Sequence, residues 1–91
     1  MRRAIVAATL CLTAFVPAAA WAGANCKANA KAEWMSETDA KTKIAAQGYE
    51  ITVFKVDGNC YEIYGRNKDG KKVEIYFDTK TLDVVKSEIE K

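Results

Sequence analysis

Histidine is absent from the 91-residue sequence. That removes the commonest neutral-pH general base and metal ligand. Neither Ser36 nor Ser87 has an imidazole to activate it. Cysteine is scarce, with Cys11, Cys26 and Cys60 only, too few thiols for a four-ligand zinc site without histidine. With five glycines there is no phosphate-cradling loop, and Asp57-Gly58 and Asp69-Gly70 read instead as hairpin turns. No catalytic, cofactor-binding or metal-ligating set is therefore expected. A basic face is missing too: 14 Lys and Arg stand among 12 Asp and Glu, so the chain is not expected to bind nucleic acid.

No apolar run reaches the roughly 20 residues a membrane-spanning helix needs. The apolar stretch from Ala4 to Val16 follows Arg2 and Arg3 and is broken by Pro17, and Ala20-Trp21-Ala22 supplies small residues where signal peptidase reads. The expectation is a cleavable signal peptide over residues 1–22, a short arm over 23–33, and one domain over 34–91. The protein would then be periplasmic or secreted, with no stable membrane span after cleavage. An uncleaved anchor is the alternative. A lipoprotein is disfavoured, because Cys11 lies inside the apolar run and no aliphatic residue stands three places before Cys26.

Cleavage would remove Arg2, Arg3 and Cys11, leaving 69 residues with 12 basic and 12 acidic side chains. So small a domain buries a modest core and often needs a covalent tie. An exported chain with only Cys26 and Cys60 has one intrachain pairing open to it, and these cysteines are too far apart in sequence for a CxxC redox motif. A Cys26–Cys60 disulfide is expected.

Ser36 is placed as an N-cap, with Asp39 at N3 in a capping-box-like pair and Met35 at N′ facing Ala40. Gly48 suits the residue after a helix. A helix over about 37–47 follows, with Ala40 and Ile44 on its buried stripe. Three strands are read at about 49–56, 60–66 and 72–78, and a short fourth from about 83 to Lys86 with a frayed end; that last segment would also accept a helical turn. The fold class is α+β, with one N-terminal helix packed on a three- to four-stranded antiparallel meander.

Register follows the buried pattern. Three-residue loops at Val56-Asp57-Gly58 and Lys68-Asp69-Gly70 place Ile51, Ile63 and Ile75 in one row and Val53, Tyr61 and Phe77 in another, under the helix. The second face then carries Thr52, Phe54, Cys60, Glu62, Tyr64, Glu74 and Tyr76. Phe54, Tyr64 and Tyr76 form either a set of stabilising cross-strand pairs under the arm or an aromatic strip that binds a protein partner. Glu62 and Glu74 are near neighbours there, but a flat sheet offers them no cleft for acid–base work.

The stretch from Ala32 to Glu88 resembles the small PepSY-domain proteins of bacterial envelopes. Trp34-Met35-Ser36, Gln47-Gly48-Tyr49, Asp57 to Gly65 and Val73 to Asp78 carry the likeness. One departure is Leu82, which stands where the family's closing turn often has glycine. The resemblance implies a helix on an antiparallel sheet and a non-catalytic module of peptidase propeptides or free-standing periplasmic proteins. A peptidase or another envelope protein would be the partner, with the turns at Asp57, Gly58, Asp69 and Gly70 as projecting elements and the protein itself a monomer or weak homodimer. A structural, self-associating envelope protein is the alternative, and a small enzyme the remotest reading.

Overall fold

The computed structural model describes residues 23–90. The segment read as a signal peptide lies outside them. Helix α1 (Glu37–Ala46) is followed by strands β1 (Glu50–Asp57), β2 (Cys60–Arg66), β3 (Lys72–Asp78) and β4 (Val84–Ile89). The strands form one antiparallel sheet in the order β1-β2-β3-β4, so β1 and β4 are its edges. No described helix is long and apolar enough to cross a membrane.

The helix starts where its cap is. Ser36 is extended, and its Oγ accepts the Asp39 N–H at 3.1 Å. It ends where Gly48 takes φ +103°, a conformation open to glycine and costly to other residues. Ala40 and Ile44 are fully buried. With only a methyl group at position 40, the helix axis lies close to the sheet. Ile44 then meets a core of Tyr61, Ile63, Val73, Ile75, Phe77 and Leu82, edged by Trp34, Met35, Tyr49, Ile51 and Phe54.

The second hairpin has the expected register. Gly65 faces Val73, Ile63 faces Ile75 and Tyr61 faces Phe77. Its three-residue loop is closed by the Asn67 N–H on the Lys71 carbonyl (2.9 Å), with Gly70 at φ +80°.

The first hairpin differs from expectation. Asp57 pairs with Cys60, so the loop is the two-residue Gly58-Asn59, with glycine at positive φ in its first position. Phe54 therefore faces Ile63 and Val56 faces Tyr61, while Val53 faces Tyr64 on the outer side and is 43% exposed. Such a register would leave Ile51 on the wrong face. A β-bulge at Thr52 adds one residue and returns Ile51 to the helix side, opposite Gly65. A side chain on Gly65 would collide with the Glu50 carbonyl oxygen, so this crossing requires glycine.

Strand β4 runs on to Ile89 rather than fraying after Lys86. The turn before it is built on Asp78. The Asp78 carboxylate accepts the N–H groups of Lys80 (2.8 Å) and Thr81 (3.1 Å), and the Asn29 side-chain amide donates to it as well (2.9 Å). Burial pushes this carboxyl up, but the three donors outweigh burial and hold it below the usual aspartate value. Leu82 closes the turn at φ +65° with its side chain buried in the core.

Candidate functional site

The arm binds the two faces together. Cys26 and Cys60 are joined, 34 residues apart, with Cα atoms 5.4 Å from each other. Cys60 is on the face away from α1, so the arm begins on that side, with Gly23 beside Asp57 and the Tyr76 ring. It then rounds the sheet end. The Met35 N–H donates to the Thr79 carbonyl at 2.8 Å, and Trp34 donates from Nε1 to the Asn29 carbonyl at 2.9 Å. The Trp34 ring finishes edge-on to Tyr61, centroids 5.5 Å apart, on the helix side.

This path, together with the register, divides the expected aromatic strip. Phe54 is on the helix side, tilted against Tyr61 at 5.0 Å and capped by the Lys41 ammonium of α1. It does not share a face with Tyr64 and Tyr76. The cause is the two-residue turn, which moves the β1 side chains between the bulge and the turn to the opposite face. Tyr76 is buried to 4% exposure. Tyr64 alone of the three presents an open ring, 39% exposed.

The second face is instead a polar cluster set into the sheet. One row reads Lys55, Glu62, Tyr76, Lys86; the next reads Val53, Tyr64, Glu74, Glu88. Glu62 is 1% exposed, its Oε1 lies 3.8 Å from Lys55 Nζ, and its Oε2 has no hydrogen-bond partner. The Tyr76 hydroxyl donates to Glu74 Oε2 at 2.9 Å. Lysines cover both ends: Lys55 lies 5.1 Å from the Tyr64 ring centre and Lys86 5.8 Å from that of Tyr76. A depression of about 230 Å³ opens between the two lysines and reaches down to Glu62 and Glu74.

The two carboxyls titrate as a pair, in opposite directions. Burial raises Glu62, helped by its hydrogen bond to Glu74, and the tyrosines and Lys55 only partly offset this. Glu74 is lowered, first by that same bond from Glu62, against the cost of its own burial. Glu62 is thus the member that holds the proton. Burial and then the adjacent carboxylates push the Tyr64 phenol up to about 12, and Tyr76 is raised by burial and by its bonds to Glu74 and Glu62. Both phenols remain protonated donors at neutral pH. No group of three or more Cys, Asp or Glu among the described residues has metal-holding geometry.

The turns differ in how they are built. Asp57 is half-buried against the arm, while Gly58 faces open space. Around Asp69 and Gly70, Asn67 Oδ1 accepts the N–H groups of Asp69 and Lys71, both at 3.0 Å, and Arg66 donates to the Gly70 carbonyl at 2.8 Å. That turn is exposed and held from within.

Sequence reasoning placed Glu62 and Glu74 together but missed the burial of Glu62 and the part of Lys55. The expected β1 register differs from the observed one by three positions, an odd number, so it put Lys55 on the helix face. The signal that could have found it is charge order: only the observed register sets Lys55 beside Glu62 and both in line with Lys86.

No curated protein and no solved structure matches the chain. Against protein families, residues 3–88 match the peptidase propeptide and YPEB domain, a span that begins well before Ala32. Domains of this kind are non-enzymatic, generally interact with and regulate peptidases, and are typically periplasmic or secreted. The match covers nearly all of the chain and agrees with its helix on a four-stranded antiparallel sheet, so this protein belongs to the PepSY family of peptidase propeptide and YPEB domains, as a non-catalytic module.

Proposed function

We propose that the protein is an exported regulator that docks on a peptidase with the sheet end carrying Tyr64 and the Asp69-Gly70 turn. Export is supported by the Arg2-Arg3 start, the apolar run and the Ala20-Trp21-Ala22 stretch, with the arm (23–33) and domain (34–91) as the exported part. The observation that carries the docking surface is the pairing of a preformed, exposed turn with an open aromatic ring. Among the described residues, Tyr64 is the one aromatic in the set of exposed large apolar side chains. The turn's internal bonds from Asn67 and Arg66 reduce what ordering it on a partner would cost. Arg66 and Lys72, with Glu74, Glu88 and Glu90, surround a hollow of about 810 Å³ beside the ring, giving a polar rim of mixed charge around an apolar contact, as protein interfaces commonly have. The Asp57-Gly58 turn is tied to the arm and is the poorer candidate.

The test is dose-dependent proteolysis. Oxidised protein is added to an extract of its own cell envelope, and the cleavage of labelled casein is followed. Wild type changes the rate in a saturable way. The Tyr64→Ala/Asp69→Ala variant, with its fold verified by circular dichroism, needs about tenfold more protein for the same effect. A rate indifferent to the wild-type protein, or a variant as effective as wild type, would overturn the reading.

A further inference from the structure

Strand β4 is an open edge with features that usually favour pairing. Val84, Val85 and Ile89 are 50%, 42% and 56% exposed, half of the exposed large apolar side chains among the described residues. The strand has no proline, and its one irregularity sits at its start, where the pairing shifts between Tyr76 and Phe77 of β3. At the other edge, β1 is interrupted by its Thr52 bulge and partly covered by α1, whose Lys41 lies over Phe54. An unpaired edge strand with exposed apolar side chains is a template for another strand.

The hydrogen-bond phase says which groups that edge offers. The Glu90 N–H donates inward to the Lys72 carbonyl at 2.9 Å. In an antiparallel ladder the bonding residues alternate, so Glu88 and Lys86 also bond inward, and the N–H and C=O of Ser87 and Ile89 point away from the sheet. A second β4 must therefore pair odd position with odd position. Three two-fold registers meet that condition near the strand centre. Centring on Lys86 sets lysine against lysine, and centring on Glu88 sets glutamate against glutamate. Centring on Ser87 sets each Lys86 opposite the other chain's Glu88, and Val85 opposite Ile89.

We propose that β4 is the contact surface between two copies of this chain, paired antiparallel about a two-fold axis at Ser87. The two Ser87 residues exchange both backbone hydrogen bonds on the axis. On the helix side, Val85 and Ile89 of the two chains cover one another. On the other side, the existing rows continue across the junction: Lys55, Glu62, Tyr76 and Lys86 of one chain run on into Glu88, Glu74 and Tyr64 of the next. Lys86 already lies 3.7 Å from Glu88 within its own chain, so the axis gathers two such pairs into an alternating square of charge. Lysine on an edge strand ordinarily discourages pairing; here it selects one register. Opposite charges directly across strands stabilise and like charges oppose pairing. The interface shares Glu88 and Ile89 with the margin of the hollow beside Tyr64, and with a single strand from each chain it is small and reversible.

Sedimentation equilibrium of the oxidised full chain, as recovered from an expressing cell, tests this up to about 1 mM protein. A closed monomer–dimer equilibrium is expected. Lys86→Glu and Glu88→Lys, each placing like charges in register, weaken the dimer about tenfold, and the double exchange Lys86→Glu/Glu88→Lys restores it to within about threefold. Because Lys86 also lies over Tyr76, a second variant spares the fold: Ser87→Pro removes only an outward N–H, abolishes the dimer and leaves the monomer's unfolding midpoint within the range of surface changes. A chain that stays monomeric throughout, a dimer that survives Ser87→Pro, a double exchange that fails to rescue, or open-ended larger species would each overturn the proposal.

Discussion

Replacing Glu62 with glutamine tests the polar cluster most directly. The side chain is 1% exposed and Oε2 has no partner. Leaving a buried acceptor unsatisfied costs about 1–3 kcal/mol, and more when it is charged. Lys55 compensates little, because it is half exposed at 3.8 Å and such pairs are worth about 1 kcal/mol or less. Glutamine has nearly the same shape and carries a permanent donor for Glu74. The folded-state value of Glu62 is raised above 4.5, so the stability contributed by its neutral form is fully present below 4.5 and is lost as pH rises through the folded value. Glu74 is lowered below 4.5, so its contribution is present above 4.5 and lost as pH falls through its own folded value. The pair's contribution is therefore largest near pH 4.5, with one proton shared between the two carboxyls. Glu62→Gln keeps that state at all higher pH. We expect it to match wild type near pH 4.5 and to exceed it by about 1–2 kcal/mol at pH 7.5, a rise of very roughly 4–16 °C in Tm for a domain of this size. Urea and thermal unfolding, followed by circular dichroism at both pH values, read it out. A variant less stable than wild type at pH 7.5, or a difference that does not change with pH, would refute the reasoning.

Removal of the disulfide by Cys26→Ser/Cys60→Ser deletes a loop constraint spanning 34 residues, worth up to about 4 kcal/mol by chain entropy. That is a large share of the roughly 3–10 kcal/mol expected for a domain of this length, so the urea midpoint should fall steeply, with reductant acting only on wild type; equal midpoints would show that the arm is held by its hydrogen bonds alone. Leu82→Gly relieves a left-handed backbone by about 1–2 kcal/mol but removes a buried leucine worth about 2–5 kcal/mol. The net loss is about 0–4 kcal/mol in urea unfolding, and a stabilised variant would mean that the Leu82 side chain contributes little to the core.

Much of the architecture was legible because local chemistry and global burial agree. Ser36 and Gly48 bound the helix, and between β2 and β3 the loop that keeps apolar residues alternating on one face is the one the chain forms. Where they compete, the sequence was misleading. Val56-Asp57-Gly58-Asn59 accepts two loops, and the one not chosen gave the cleaner alternation of apolar residues. The chain takes the shorter turn and corrects the phase with a bulge at Thr52, which no period-of-two count reveals. That choice sent Phe54 to the core and Lys55 to the polar face.

What the sequence determined by itself was the class of molecule: no imidazole, no phosphate loop, a leader-like N-terminal stretch, two cysteines beyond it, and enough turn and alternation signals for one helix on a meander. Family membership was readable at that level as well. Tertiary structure decided which side chains share an environment. Burial of Glu62 beside Glu74, division of the aromatic strip, and the outward phase of the Ser87 backbone depend on register and on the path of the arm. Those are properties of pairs of residues distant in the chain, and a shift of one position reverses every face.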